Sequence, residues 1–376
     1  MQSRRFRQLR ERREGRETLQ DLVPSLPAAP LTSPLFTVFP AEIRNRIYSL
    51  ALESEDVLTE DNPRLYKQND FYYRPGYKQP KRIQTALLQT CQQIYAEASL
   101  LPPAVNEHTF WFYRAPPHVN DASSPLNYFR KMTPKQRAQV QHLHLFTQQF
   151  FLEDHRWSQI WDGLTIGNNG RSLRDECRIA PKKMTITLRH TDWWFWEHNE
   201  PLGIDPFRLG RTRAAQMGEP VSPDAAARSW GNQFTYLPCL EELVIEFETI
   251  MRKRDQLDAI IQRALEWKFP IQADEGWYLV ANPNSKMVYT WAGAKEAELK
   301  RQRPVRPLDT EAGSESQSGQ EQNTIPTPPV FVPFCPQSDL GANSGTILGS
   351  RPQLPDSNAE EFYVVFLSWR KQRVQA

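Results

Sequence analysis

An apolar stripe at helical spacing stands near the start of the chain. Ile43, Ile47 and Leu50 recur at i, i+4 and i+7 with polar residues between them, and Pro40 suits a first helical turn because it lacks a donor there. The pattern predicts a helix over residues 40–52 whose stripe faces the protein interior.

A second helical pattern follows a polar, Tyr-rich stretch, residues 65–82, that we interpret as a loop. Apolar residues repeat every three or four positions from Ile83 to Leu101, and Pro102 and Pro103 then interrupt the pattern. We expect one long amphipathic helix that ends at these prolines.

Short alternating or continuous apolar runs then predict β-strands. They cover residues 109–113, 140–146, 184–188, 243–248 and 362–367. Helical patterns lie at residues 125–132, 155–164, 223–230, 254–269 and 291–301. Strands that alternate with helices need crossover connections, so the predicted fold class is α/β or α+β, with N-terminal helices followed by a partly parallel sheet.

Composition divides the chain of 376 residues, which has 31 prolines and is 39% hydrophobic. Proline, glycine, serine and glutamine dominate two stretches that lack any periodic apolar signal, which predicts disorder there. The predicted units are a basic arm with a Pro-rich linker at 1–34, a helical unit at 35–115, an α/β region at 116–301, a disordered insertion at 302–358 and a C-terminal strand at 359–376 that completes the same domain.

The net charge of +2 comes from 46 basic and 44 acidic residues, so the surface as a whole does not attract nucleic acid. Residues 1–20 differ from this average, with seven arginines against three glutamates. Two interpretations of this arm stay open: a solvated charged helix, or a nuclear-import or phosphate-binding arm.

Cysteine usage and hydropathy indicate a compartment. The four cysteines form no Cys-x-x-Cys pair, which predicts free thiols in a reducing environment; they are Cys91, Cys177, Cys239 and Cys335. No run of about 18 apolar residues occurs, and the Arg-rich N-terminus lacks the apolar run of a signal peptide. We therefore expect a cytoplasmic or nuclear protein without a membrane partner.

One segment could be interpreted as a metal site. His190, Asp192, Glu197 and His198 lie within nine residues, but the helical His pair of metal-binding helices is missing. We instead expect a strand end followed by an aromatic lid. No nucleophile elbow, phosphate-binding loop or kinase motif occurs, and we predict no catalytic residue, no cofactor and no metal.

The aromatic run inside that segment suggests a contact surface. Trp193, Trp194 and Trp196 cannot all point to one side of an extended segment, because successive side chains alternate. At least one of them is expected to be partly exposed and to bind a protein partner.

Two segments carry a family resemblance. Residues Phe39 to Tyr48 match (Leu/Phe)-Pro-x-Glu-Ile-Arg-Asn-x-Ile-Tyr, and Leu87 to Ala98 match Leu-Leu-x-Thr-Cys-x-Gln-Ile-x-x-Glu-Ala. A strand follows from Asn106 to Phe110. In these segments the chain resembles a large F-box-like group of filamentous-fungal proteins.

The resemblance implies helices that seat on the adaptor subunit of a cullin-type ubiquitin ligase, with the remaining chain recruiting a substrate. We accordingly predict a non-catalytic protein-recognition function. Ile43 and Ile47 are expected to be structural, and the adaptor contacts are expected at Leu35, Phe36, Phe39 and Pro40. The alternative is a nuclear or nucleic-acid-associated factor that acts through its arginine-rich arm.

Overall fold

The computed structural model describes residues 33–56, 66–67, 69–116, 125–129, 131–153, 179–207, 229–272, 275–301, 330–334 and 359–374. The basic arm, the helix predicted at 155–164 and most of the predicted insertion fall outside these residues. The described part has helices packed on a mixed sheet, which confirms the α/β or α+β class. No helix within the described ranges is long and apolar enough to cross a lipid bilayer.

Eleven strands are found in the described residues. They are β1 Ser54–Asp56, β2 Lys81–Ile83, β3 Glu107–Trp111, β4 His142–Phe146, β5 Lys183–Leu188, β6 Glu242–Ile250, β7 Lys268–Gln272, β8 Trp277–Ala281, β9 Met287–Gly293, β10 Val332–Pro333 and β11 Glu360–Arg373. The α-helices there are α1 Pro34–Thr37, α2 Ala41–Ala51, α3 Gln92–Ala98, α4 Leu101–Val105, α5 Pro125–Phe129, α6 Pro134–Ala138, α7 Gln149–Glu153, α8 Arg254–Ala264 and α9 Glu296–Arg301.

The main sheet is parallel on one side and antiparallel on the other. Strands β3, β4, β5 and β6 lie side by side and are parallel, as their alternation with helices predicts. The 14-residue strand β11 runs antiparallel to β6 along one edge. Its other edge pairs first with β9 and then with β8, so these two strands lie end to end. Strand β11 therefore lies in the middle of the sheet, with β7 and β10 outside β8 and β9.

One face of this sheet carries the hydrophobic core. Helix α8 packs its predicted stripe there, with Leu257, Ile260 and Ile261 fully buried. Next to it, the indole rings of Trp267 and Trp369 stack with their centroids 6.1 Å apart. Burying one such aliphatic side chain stabilises the fold by about 1.5–3 kcal/mol, so the stripe is enough to fix α8 against the sheet.

Polar residues of segments 39–48 and 87–98 join α2 to α3. The Arg44 guanidinium donates to both carboxylate oxygens of Glu97, at 2.9 and 3.0 Å, and the Tyr48 hydroxyl donates to the same carboxylate at 3.1 Å. The buried Asn106 then ties this unit to β3, because its amide donates to the carbonyls of Leu52 and Pro102. The motif residues thus form the interhelical contact.

The orientation predicted for α2 is wrong. Ile43, Ile47 and Leu50 are 46%, 37% and 56% exposed, whereas Tyr48 and Leu52 are fully buried. The hydrogen bonds of Arg44 and Tyr48 to α3 turn the opposite face of the helix inward. The predicted stripe therefore faces solvent.

Several helix boundaries also differ from the sequence pattern. The long helix predicted from Ile83 is instead β2, a 3₁₀ turn and α3, because Cys91 is extended and caps α3. Pro102 and Pro103 lie in the first turn of α4, where a missing donor costs nothing. The helix predicted at 291–301 starts only at Glu296, and the one predicted at 254–269 ends at Ala264 before β7.

The described cysteines agree with the thiol prediction. Cys91 is buried and Cys239 is exposed, and both are free. Cys177 and Cys335 lie outside the described residues.

The position of β11 leads to a first prediction. We expect the protein, cut at a protease site engineered after Glu315, to elute as one species in size-exclusion chromatography without denaturant, because β11 pairs along both edges and buries Val364 and Leu367 completely. The uncut protein is the control. Separation of the C-terminal fragment would show that β11 is not an integral strand of this sheet.

Candidate functional site

The second face of the sheet carries polar residues where a core would be apolar. Side chains alternate along β4, β5 and β6, so the register aligns His144, Thr187 and Glu246 on the face opposite α8. All three are buried. Glu248, two residues further along β6, is buried on the same face. Buried polar groups need partners, and a loop supplies them.

A tight turn brings that loop onto the polar face. Arg74, Pro75, Gly76 and Tyr77 form the turn, with the Tyr77 amide donating to the Arg74 carbonyl at 2.9 Å. Gly76 has φ +81°, the left-handed value that the third position of a type II turn requires, and Pro75 suits the second position. The turn directs Arg74 and Tyr77 towards the sheet.

Arg74 is the central charge of the site. It is 2% exposed, pairs with Glu246 through Nη2 and lies 3.3 Å from Glu248. Burial alone would lower the pKa of Arg74, but the two carboxylates outweigh it and raise that pKa. Burial also raises the pKa of Glu248, and Arg74 only partly offsets this. The rings of Phe146 and Phe331 lie 5.5 and 5.9 Å from the guanidinium.

A chain of hydrogen bonds continues from this pair across three strands. The Thr187 hydroxyl donates to Glu246 at 2.6 Å, and His144 Nε2 lies 2.8 Å from the Thr187 oxygen. His144 Nδ1 contacts Glu107 at 2.9 Å and the Tyr77 hydroxyl at 3.0 Å.

The order Glu107, His144, Thr187 resembles the acid, imidazole and hydroxyl of a hydrolase. Its geometry gives a different role. Because Thr187 donates its hydroxyl proton to Glu246, it has no proton to give to His144 Nε2, and His144 does not act as its base. Thr187 is fully buried, which keeps a substrate away from its oxygen. The chain of hydrogen bonds fixes the orientation of the side chains on the polar face.

A groove of about 550 Å³ opens beside this network. Its lining combines charged and polar side chains with apolar ones. Of these, Glu242 lies 3.1 Å from Lys183 and 3.5 Å from Arg370. Among the lining residues are Arg74, Tyr77, Glu107, His144, Thr185, Val244, Glu246, Met287, Phe331, Phe366 and Ser368. A mixed lining of this kind suits an organic ligand better than a bare ion.

The segment that could be interpreted as a metal site does not form one. Arg189 binds both oxygens of Asp192, at 2.7 and 2.9 Å, and also donates to the carbonyls of Phe71 and Tyr113. His190 is buried, whereas His198 is exposed. No cluster of three His, Cys, Asp or Glu side chains suited to a metal occurs in the described ranges.

The three tryptophans predicted to bind a partner are placed differently from one another. Trp193 and Trp196 are each 3% exposed, and the indole of Trp193 donates to the Glu248 carbonyl at 2.8 Å, so the predicted partner contact is corrected for these two. Trp194 is half-buried, with its indole hydrogen-bonded to Glu153. Phe195 next to it is 49% exposed and has φ +49°. Within the run, only its two middle residues, Trp194 and Phe195, reach the surface.

The four residues predicted to contact an adaptor also differ in their exposure. Leu35 and Phe36 are half-buried against the small cluster around Tyr48, whereas Phe39 and Pro40 are exposed. The exposed pair continues the outward stripe of α2.

No family model matches the chain, and searches of curated proteins and of solved structures find no match either. The side-chain geometry is therefore the basis for a functional conclusion.

Arg74 gives a second prediction. We expect Arg74→Met to destabilise the protein by about 3–5 kcal/mol, because Glu246 and Glu248 would be left buried without a cation. Adding Glu246→Gln and Glu248→Gln should restore at least half of that loss in chemical denaturation. Arg370→Met is the matched control, since its side chain is 63% exposed at the groove mouth, and should change little. Equal effects of both arginine variants would contradict the central role of Arg74.

Glu107 gives a third prediction, on pH. Burial favours its protonated form, but hydrogen bonding and charge from His144 outweigh this and lower the pKa of Glu107 to about 2. A lowered pKa stabilises the fold above pH about 4.5 and loses this effect as pH falls towards 2.

We therefore expect Glu107→Gln to lower Tm at pH 7 by a few degrees, since the side chain is 42% exposed and screened by water. The difference from the unmodified protein should shrink between pH 4.5 and 2. The exposed Glu298→Gln serves as the control. A difference that stays constant down to pH 2 would show that Glu107 gains nothing from its charge.

Proposed function

We propose that the chain is a non-catalytic protein-recognition protein that docks onto a partner protein through the outward stripe of α2. The observation that carries this proposal is the exposure of a row of large apolar side chains. Phe39, Ile43, Ile47 and Leu50 follow one another at spacings of four, four and three residues and are 37–56% exposed. Val38 beside them is 69% exposed.

An apolar row of this length is costly to leave in water, and such rows mark contact sites. The spacing is that of a helix which lays its face into an apolar groove of another protein. Arg44 and Tyr48 hold the opposite face of α2 on Glu97, so the row is presented by a fixed helix. Binding to a partner would therefore cost little free energy for ordering α2.

The adaptor subunit of a cullin-type ubiquitin ligase is the partner that the F-box-like resemblance favours. In this proposal α2 contacts the adaptor, and the groove beside Arg74 is available to a second protein, the substrate. Such a role belongs in the cytoplasm or the nucleus. The arginine-rich arm lies outside the described residues, and no observation favours the nucleic-acid alternative.

The proposal gives a fourth prediction. We expect Ile43→Asp with Ile47→Asp to abolish co-purification with a recombinant adaptor subunit and to leave Tm within about 2 °C, because both side chains already contact water. Tyr48→Ala is the contrasting variant. It should lower stability by about 3 kcal/mol or more, since Tyr48 is fully buried and hydrogen-bonded to Glu97.

If adaptor binding survives the double substitution, the adaptor does not contact the chain through α2. Failure of the unmodified protein to bind the adaptor would remove the ligase-receptor hypothesis. Association of two copies through α2 would appear instead as a doubled mass in light scattering, which the same double substitution abolishes.

A further inference from the structure

A short piece of the predicted insertion is docked on the edge of the sheet. Strand β10, Val332–Pro333, pairs antiparallel with β9 opposite Thr290 and Tyr289. The Phe334 amide then donates to the Val288 carbonyl at 3.0 Å. The prediction of disorder throughout 302–358 is therefore wrong for residues 330–334.

Two phenylalanines anchor this segment on either side of Pro333. The Phe331 ring meets Phe366 edge-on at 5.6 Å and Tyr289 at 5.7 Å. The Phe334 ring meets Tyr363 edge-on at 5.3 Å. Each ring also has a cation beside it, since Arg74 lies 5.9 Å from Phe331 and Arg254 lies 4.8 Å from Phe334.

The contact has the form of a bound peptide. An extended segment adds a strand to a sheet edge, and two side chains fill separate aromatic sites, which is how edge-binding domains take peptides. Pro333 and Val330 are exposed, and Phe331 and Phe334 are only half-buried. The flanking sequence on both sides is rich in Pro, Gly and Ser and carries few apolar residues. The segment thus resembles a linear motif held by its own domain.

We propose that the β9 edge, with its two aromatic sites, is a binding site for an extended peptide of the pattern Phe-x-Pro-Phe, and that residues 330–334 occupy it in cis. A partner with this pattern binds by displacing the chain's own segment. Displacement removes Phe331 from the wall of the groove and uncovers Arg74. This inference does not depend on docking through α2.

The tether sets the strength of the competition. A segment tethered within the same chain has an effective concentration of about 1 mM, so a free peptide with the same contacts competes poorly against it. Weakening the tethered segment should therefore strengthen binding of a free peptide. This increase in affinity for the free peptide distinguishes a self-occupied site from an ordinary structural strand.

The test uses the full chain and a fluorescein-labelled peptide of residues 327–336 with Cys335→Ser. We expect Phe331→Ala with Phe334→Ala in the protein to bind this peptide at least about tenfold more tightly than the unmodified protein in fluorescence anisotropy. Val330→Ala is the matched control, because its side chain is 61% exposed and the anchors remain. It should behave as the unmodified protein does. A peptide with both phenylalanines replaced by alanine should bind neither protein.

A second measurement covers the case in which the double variant fails to fold. In the unmodified protein, millimolar peptide should accelerate hydrogen exchange of residues 330–334 and leave residues 288–290 protected. The proposal is overturned if the peptide neither accelerates this exchange nor binds the folded double variant more tightly. It is equally overturned if the alanine peptide binds as well as the original.

Discussion

The buried pair of Arg74 with Glu246 and Glu248 constrains the rest of this structure. Taking a carboxylate out of water costs several kcal/mol unless a cation and hydrogen bonds replace the water. Strand β6 places two carboxylates on one face, so that face needs a cover that carries positive charge. The turn at Pro75 and Gly76 supplies this cover through Arg74, and the groove lies beside it.

This constraint separates the two faces of the sheet by role. The face under α8 is mainly apolar and supplies stability, with Trp369 stacked on Trp267. The opposite face is held by directional contacts, in which His144 and Thr187 each have a fixed partner. A face built in this way keeps polar atoms at set positions beside a groove, which suits selective recognition.

Much of the fold follows from local patterns. Alternation along β4 is enough to place Leu143 and His144 on opposite faces, and the stripe of α8 marks its buried side. The direction of α2 does not follow in this way. An apolar stripe shows that a helix has an apolar side, but contacts of Tyr48 with Glu97 and with the apolar residues of α3, about fifty residues away, turn Tyr48 inward.

The candidate site depends on a contact that no local pattern predicts. Arg74 stands in a Tyr-rich loop and meets Glu246, 172 residues further along the chain. The sequence does carry two signals of this site. Pro75 and Gly76 are typical of a type II turn, and Glu246 and Glu248 stand two residues apart within a mainly apolar strand, which marks a buried polar face. Neither signal identifies the partner, because pairing over such a distance depends on strand order.

The central place of β11 has a consequence for how the protein is made. This strand is synthesised after every strand that it joins, so β6 on one side and β8 and β9 on the other wait with unpaired edges while the chain emerges. Open edges beside apolar side chains invite pairing with other chains. Contacts between distant parts of a chain also form slowly. The edges of β6, β8 and β9 that face β11 therefore stay open in the nascent chain until β11 itself has been synthesised.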